Sequence, residues 1–208
     1  MDEPCALVQK IDRHTHKQYH VGMNERDIKI VETALQLFSH YGVKKTTMSE
    51  IANAAGVARQ SLYNAYDGKE ELIYGALRHL AETSAHAVAE ECSGLDDIGK
   101  RLDIAFKYLA LEPCQVILQV PHREEIMQVI ESFDVEKKNS IMTIYNNAIS
   151  DVLKPFENRL RLGSTTYTDL CNFVIFSFDH MKKSVVNLEQ VRQTYATLRQ
   201  LIENSVKA

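Results

Sequence analysis

The chain has 208 residues and a mass of 23.7 kDa, and 45% of its residues are hydrophobic, so it can form one packed domain or a small domain joined to a larger one. Its formal net charge of −4 excludes a globally basic coat protein of nucleic acids. Its longest strongly apolar run, residues 170–178, is far shorter than the ~20 residues that cross a bilayer, so we expect no membrane span.

The first 24 residues are polar, and we expect them to form a flexible N-terminal tail. The tail contains His14, His16 and His20, whose HxHxxxH spacing is one that a metal ion can use. Because no cysteine or carboxylate lies at a useful spacing from them, we expect no metal site and no other cofactor. The chain lacks an N-terminal signal-peptide pattern and its four cysteines form no CxxC pair, so we expect free thiols and a cytoplasmic protein.

Residues 25–41 are predicted to form the first helix. Its apolar residues Ile28, Val31, Leu35 and Phe38 recur at spacings of three and four, so they lie on one face of a helix. We expect this face to pack across the next two helices and to form a three-helix core.

The following segment, residues 46–72, has the pattern of two short helices joined by a tight turn and followed by the start of a third helix. Thr47 and Glu50 have the spacing of a capping box, in which each side chain satisfies a free backbone N–H at the helix start. Gly56 suits the left-handed residue that ends a helix, and the second helix is predicted at residues 58–64. Such a helix-turn-helix presents a small polar helix to the major groove of DNA.

This segment resembles the DNA-binding domain of TetR-type transcriptional regulators. The matching residues are Gly42, Thr46-Thr47, Ile51-Ala52, Ala55-Gly56-Val57, Leu62-Tyr63, Tyr66 and Lys69-Glu70-Glu71-Leu72. The cap position at the start of the recognition helix is usually serine in this family and is Ala58 here, which forgoes roughly 1 kcal/mol of capping. The resemblance implies an all-α protein with a three-helix DNA-binding domain at residues 25–72 and a helical effector-binding and dimerisation domain at residues 73–208.

Charge and side-chain chemistry suggest roles within the DNA-binding domain. Residues 26–80 carry 7 basic and 6 acidic groups, a net charge of +1, whereas residues 1–25 carry −1 and residues 81–208 carry −4. Base contacts in the major groove are predicted for four polar residues of the recognition helix: Arg59, Gln60, Ser61 and Asn64. Phosphate contacts, which fix register without reading sequence, are predicted for Lys44, Lys45, Thr47, Tyr63 and Lys69.

From residue 69 onward the pattern predicts helices almost to the end of the chain. These helices are predicted at residues 69–91, 94–112, 122–133, 136–162, 165–185 and 188–206. Pro113 should stop the second of them, and Pro155 should kink or divide the fourth. No segment alternates convincingly like a strand, although residues 114–120 are apolar enough to be ambiguous.

The last two predicted helices carry apolar residues at spacings of three and four, which favours helix packing near 20°. Two such helices from each subunit can form a four-helix interface around a two-fold axis. The predicted interface residues are Val174, Phe178, Met181, Val191, Tyr195, Leu198 and Ile202. Core packing within one chain is the alternative explanation, and the resemblance favours a homodimer that binds a palindromic operator.

The middle helices supply candidate walls for an effector pocket. The candidates are Phe106, Tyr108, His122, Phe133, Tyr145, Tyr167 and Phe176. Ordinary core packing is the alternative for the aromatic residues. In similar regulators this domain binds a small molecule that alters the spacing of the two DNA-binding heads, which requires the molecule to bind one spacing better than the other.

We therefore expect a sequence-specific DNA-binding transcriptional regulator, a dimeric repressor that an unknown small-molecule effector releases from a palindromic operator. The chain lacks the patterns GxGxxG, GxxxxGK[ST], GxSxG and HExxH, so we do not expect an enzyme. The alternative function is that of a helical adaptor or coactivator that acts through protein–protein contacts.

Overall fold

The structure is a computed structural model that describes residues 23–206. Its α-helices are α1 (Glu25–Tyr41), α2 (Met48–Ala55), α3 (Arg59–Ala65), α4 (Lys69–Glu91), α5 (Ile98–Phe106), α6 (Glu112–Gln119), α7 (Arg123–Ser132), α8 (Val135–Leu153), α9 (Tyr167–Lys183) and α10 (Leu188–Asn204). A π-helical turn at Lys107–Leu111 joins α5 to α6, and a 3-10 helix at Lys154–Arg159 follows α8. The predicted all-α class is confirmed. The histidines His14, His16 and His20 lie outside the described residues.

The chain divides into two compact units. Among the described residues, the first comprises residues 23–83 together with residues 119–141, and the second comprises residues 84–118 and 142–206. The first unit therefore contains the predicted DNA-binding domain at residues 25–72 and also α7, which the sequence pattern assigned to the second domain.

The three-helix core of the first unit follows the predicted pattern. Asn24 begins α1, because its side chain accepts a hydrogen bond from the Asp27 amide at 2.9 Å. The four apolar residues predicted for the core face of α1 are all buried. Ile51 of α2 and Leu62 of α3 are fully buried, and each such side chain contributes roughly 1.5–3 kcal/mol by leaving water.

The helix after α4 does not stop at Pro113, and this prediction was wrong. The π-helical turn closes with the Glu112 amide donating to the Lys107 carbonyl, five residues back, and α6 continues to Gln119. Proline lacks an N–H and its ring clashes with the carbonyl four residues earlier in a regular helix. A widened turn directly before Pro113 is how the helix continues past this residue.

Pro155 acts as predicted. It lies in the first turn of the 3-10 helix that follows α8, where a missing N–H costs nothing.

The last two helices begin at capping residues. Thr166 and Asp169 form a capping box at the start of α9, and the Asn187 side chain caps α10.

The second unit is organised around aromatic residues. Phe106 of α5 stacks on Tyr195 of α10 with ring centroids 3.8 Å apart, and Phe178 of α9 tilts against both rings. The Tyr195 hydroxyl donates to Asp103 at 2.6 Å, so the polar end of this buried ring is satisfied. These contacts join α5, α9 and α10 in one core.

Arg101 of α5 is buried and binds only backbone carbonyls among the described residues. Its Nε donates to Val152 at 2.8 Å and its Nη2 to Asp151 at 2.7 Å, at the end of α8. Its Nη1 donates to Cys92 at 2.8 Å and to Leu95 at 3.2 Å, just after α4. A cation is favourable at helix C-termini, where carbonyls lack partners.

From the sequence we expect free thiols and no helix that spans a membrane. Cys92, Cys114 and Cys171 are buried free thiols. Between residues 23 and 206, no helix combines the length and the apolar character that crossing a membrane requires.

Candidate nucleic-acid interface

The turn between α2 and α3 has the geometry that the sequence predicts. Thr47 and Glu50 form a capping box at the start of α2, and Gly56 adopts a left-handed conformation with φ of +71°. The Val57 amide then donates to the Ala52 carbonyl at 2.9 Å, which closes the helix end. Ala58 makes no side-chain cap, as its residue type predicts.

The four predicted base-reading residues lie on α3 around its single buried anchor, Leu62. Arg59, Gln60 and Asn64 are exposed, and Ser61 is half-buried. Gln60 Nε2 donates to Asn64 Oδ1 at 3.0 Å, so these two amides are oriented by each other before any DNA binds. The arrangement leaves further amide donors and acceptors of this pair free for a base edge.

Tyr63 is 37% exposed and lies beside Arg59, whose guanidinium carbon is 5.4 Å from the Tyr63 ring centroid. Such a cation–π contact restrains the arginine side chain while its donors remain free.

Thr47, another predicted phosphate contact, has no free donor. Both its N–H and its hydroxyl already donate to Glu50 Oε2, at 2.7 and 2.8 Å. These bonds lower the pKa of Glu50, and a phosphate at Thr47 has to displace this carboxylate or share its donors.

Lys44 and Lys45 lie on the turn between α1 and α2, residues 42–46, which we call the phosphate turn because it carries two predicted phosphate contacts. Both lysine side chains are exposed. The turn begins at Gly42, whose φ of +86° favours glycine, and the Thr46 hydroxyl donates to the Gly42 carbonyl at 2.8 Å. The backbone that carries the lysines is therefore well fixed.

Lys69, the first residue of α4, contacts the phosphate turn directly. Its Nζ donates to the Val43 carbonyl at 2.6 Å and to the Thr46 carbonyl at 3.0 Å. An ammonium group has three donors, so one N–H remains for a phosphate oxygen. The structure thus gives Lys69 a positioning contact that the sequence did not predict, while its phosphate contact remains a prediction.

Glu125 of α7 contacts the other side of the phosphate turn, and the sequence pattern missed it. Its Oε2 accepts a hydrogen bond from the Lys44 amide at 2.8 Å. The hydrogen bond from this backbone amide lowers the pKa of Glu125. The two residues are 81 positions apart, so no local spacing signals the contact.

A lysine from α8 pairs with two glutamates at the start of α4. Lys137 Nζ lies 2.7 Å from Glu70 Oε1 and 2.6 Å from Glu71 Oε1. Nearby, Tyr74 and Phe133 pack edge to face with centroids 5.8 Å apart. These contacts attach the segment around α7 to the helix-turn-helix within the first unit, and the single positive charge of Lys137 offsets one of the two negative charges of Glu70 and Glu71.

The seven predicted dimer residues are not at a surface. Val174, Phe178, Met181, Val191, Tyr195, Leu198 and Ile202 are all buried in the core of the second unit. Their spacing of three and four arises because α9 and α10 pack against other helices of the same chain. This part of the prediction is corrected, and the large apolar residues that α9 and α10 expose are Phe173, Phe176 and Leu201.

The predicted pocket residues have different environments. Phe106 stacks in the core, Phe133 packs on Tyr74 in the first unit, and Phe176 is 59% exposed, so these three are not walls of one pocket. His122 precedes α7 in the first unit, where its side chain forms no cap. The remaining candidates are tyrosines of the second unit: Tyr108, Tyr145 and Tyr167.

Residues 30–74 match the family described as bacterial regulatory proteins, tetR family. A stretch of 77 residues is 36% identical to the probable HTH-type transcriptional regulator ArpR of Pseudomonas putida, and it covers 36% of this chain and 37% of that protein. A stretch of 96 residues is 30% identical to the probable acrEF/envCD operon repressor of Escherichia coli strain K12, and it covers 43% of each. The chain thus spans less than half the length of these curated relatives.

Solved structures resemble the chain over most of its length. The fatty acid degradation regulator FadR from Bacillus halodurans superposes with a TM-score of 0.61 at 17% identity, over 88% of this chain and 96% of that one. The TetR family transcriptional regulator PfmR from Thermus thermophilus superposes with a TM-score of 0.56 at 17% identity, over 90% and 100%. These similarities establish a shared fold, with an N-terminal helix-turn-helix and a helical remainder.

Proposed function

We propose that this chain, whose residues 30–74 match the tetR family of bacterial regulatory proteins, is a dimeric transcriptional repressor that a small molecule releases from a palindromic DNA operator. The observation that carries this proposal is the polar face of α3. Arg59, Gln60 and Asn64 are exposed there, whereas Leu62 anchors the opposite face. A short helix with one buried face and one face of base-reading side chains fits the major groove.

The phosphate turn supports the same proposal. Lys44 and Lys45 place two exposed cations in the same unit as α3, on a backbone fixed by Lys69 and Glu125. Fixed cations gain affinity from counterion release without spending binding energy on ordering the turn. Tyr63 and Thr47 complete the predicted phosphate contacts. The chain as a whole is acidic, so this local arrangement has to supply the attraction to DNA.

We propose that a second copy of the chain covers the exposed apolar face of α9 and α10. Phe173 is 54% exposed, and Phe176 and Leu201 are each 59% exposed. Large apolar side chains of this kind, exposed on two helices of one unit, are typical of a subunit interface. A two-fold dimer presents two α3 helices to half-sites about one helical repeat apart, which requires a palindromic operator.

The effector and the cellular location complete the proposal. The tyrosines Tyr108, Tyr145 and Tyr167 remain candidates for contacts with a small molecule in the second unit. A repressor of chromosomal genes acts in the cytoplasm, where reducing conditions keep its cysteines as thiols.

A gel-shift titration with the DNA upstream of the protein's own gene tests the function. We expect binding that weakens steeply with salt, and we expect Arg59→Ala and Asn64→Ala to cost about 1–3 kcal/mol each at individual operator positions. Arg123→Ala, which removes an exposed arginine of α7, is the matched control and should leave the affinity nearly unchanged. Absence of binding at every salt concentration, with a folded protein, contradicts the proposal and favours the adaptor function.

A further inference from the structure

Lys182, near the end of α9, has an unusual environment for a lysine. Its ammonium nitrogen lies 4.4 Å from the centroid of the Tyr145 ring, on α8, within the second unit. Its sequence neighbour Lys183 is the ordinary case, because that side chain is 62% exposed and pairs with Asp179 at 2.7 Å. Asp179 is therefore already engaged by Lys183, and it acts on Lys182 only at longer range.

Neither Lys182 nor Tyr145 has a hydrogen-bond partner for its polar end group among the described residues. Burial lowers the pKa of Lys182 and raises the pKa of Tyr145 to about 12, so both groups lie where water solvates charge poorly. Their side chains are nevertheless not fully enclosed by protein. A desolvated ammonium with only a ring face as partner is a costly arrangement.

Asn146, which follows Tyr145 in sequence, also carries a polar atom without a hydrogen bond. The Oδ1 atom of Asn146, the residue after Tyr145 on α8, is buried without a hydrogen-bond partner among residues 23–206. Folded proteins leave few such atoms unpaired, because an unpaired polar atom in the interior is costly. Because Oδ1 accepts hydrogen bonds, its partner has to be an ordered water or a donor group of a ligand, and not a carboxylate oxygen.

We propose that Lys182 and Tyr145 bind the carboxylate of a small organic acid, and that the effector of this regulator belongs to that chemical class. The inference rests on the proposed function and adds the chemistry of the ligand. An ammonium and a phenol are both donors, and a carboxylate has two oxygens that accept from both. A neutral ligand leaves the ammonium charge of Lys182 without a counter-ion, whereas a carboxylate supplies one.

Nuclear magnetic resonance of the full chain with labelled lysine side chains tests the site directly. The probe is sodium acetate, the smallest carboxylate with a methyl group, and acetamide is its neutral counterpart. We expect acetate to move the side-chain signal of Lys182 in a saturable way and acetamide to leave it in place. A Lys182 signal that acetate does not move, or that both probes move equally, overturns the proposal.

Variants separate binding at this site from general effects of salt. Lys182→Met should abolish the saturable response to acetate in the remaining signals, and Tyr145→Phe should weaken acetate binding several-fold while the ring remains. Lys100→Met removes an exposed lysine of the same unit and should leave the response unchanged. An unchanged acetate response in Lys182→Met contradicts the assignment.

Operator binding, measured on the same samples, distinguishes the two proposals. If wild type and Lys182→Met both bind DNA but acetate does not affect Lys182, the acid site is wrong and the regulator stands. If neither protein binds any DNA offered, the proposed function fails, whatever the acetate titration shows.

Discussion

Gly42 combines two constraints at one residue of the phosphate turn. Its φ is +86°, and a Cβ added there would lie 3.0 Å from Glu125 Oε1. Gly94 has a similar φ of +75°, but a Cβ added there meets nothing within 4 Å. Comparing alanine substitutions at the two glycines therefore separates the cost of backbone strain from the cost of the contact with Glu125.

We predict that Gly94→Ala costs about 1–2 kcal/mol of unfolding free energy and that Gly42→Ala costs more. The excess arises because the new methyl group pushes the Glu125 carboxylate away from the Lys44 amide. Urea denaturation measures both costs. In a Glu125→Ala background the excess at Gly42 should disappear, and an excess that persists there contradicts this explanation.

The carboxylate of Glu125 also makes stability depend on pH. Its pKa is lowered in the folded protein, so its hydrogen bond to Lys44 stabilises the fold fully above the ordinary pKa of glutamate. The stabilisation is lost as the pH falls through the lowered folded-state pKa. This contribution is therefore present at neutral pH and absent in acid.

We predict that Glu125→Gln lowers the melting temperature at pH 7 and that the difference from wild type shrinks as the pH falls into the acidic range. Thermal melts across this range measure the difference. Glu131→Gln, at an exposed position of the same helix, is the control and should give a small difference. A difference for Glu125→Gln that grows in acid is the opposite of the expected sign.

The sequence indicated some of these residues and missed others for a physical reason. The capping box of Thr47 with Glu50 and the left-handed Gly56 depend on neighbours within four positions, so their pattern is visible in the chain. The contacts of Glu125 and Lys69 with the phosphate turn depend on how separate helices pack. No periodicity encodes such contacts, and they appear only in the folded structure.

At the scale of elements, Arg101 connects the ends of two helices. Its guanidinium donates to four backbone carbonyls, two after α4 and two at the end of α8. Removing it takes this partner from two buried and two partly buried hydrogen bonds, and each unpaired buried group costs about 1–3 kcal/mol.

We predict that Arg101→Met destabilises the protein by roughly 3 kcal/mol or more, and that Arg101→Lys recovers only part of the loss, because an ammonium cannot match the planar guanidinium. Arg159→Met, which removes an exposed arginine paired with Asp96 at 3.3 Å, should cost less than about 1 kcal/mol. Denaturant unfolding compares the three variants. Equal losses for Arg101→Met and Arg159→Met contradict the role of the carbonyl contacts.

The helices themselves were largely predictable, whereas the orientation of their faces was not. Apolar spacing placed α1, α4, α9 and α10 within a few residues of their observed bounds. In α9, however, apolar residues occur nearly all round, so Val174 and Phe178 had the same pattern whether they faced the core or a partner. Only the structure separates these buried residues from the exposed Phe173 and Phe176.

At the scale of the whole molecule, the exposed apolar face predicts the assembly. We predict that replacing both Phe173 and Phe176 with glutamate converts the protein to a monomer in sedimentation while its helical circular dichroism is retained. Charges on an apolar interface have to be desolvated without partners, which opposes association. Operator affinity should fall at the same time, because a single head binds one half-site.

Phe178→Ala is the matched contrast, because the same helix buries this ring completely. It should cost about 3–5 kcal/mol of stability by leaving a cavity. A double glutamate variant that remains dimeric contradicts the proposed interface, and the position of the subunit contact then has to be sought elsewhere.

The π-helical turn at Lys107–Leu111 has a consequence for comparing this chain with others. A turn closed over five residues contains one residue more than a regular helix needs for the same direction, so it shifts the register of inward-facing positions after it by one residue, about 100° around the helix axis. A protein with the same fold but without the widening is one amino acid shorter at this place. A sequence alignment has to open a gap there. An alignment without the gap pairs inward-facing positions of α6 with positions that face another direction.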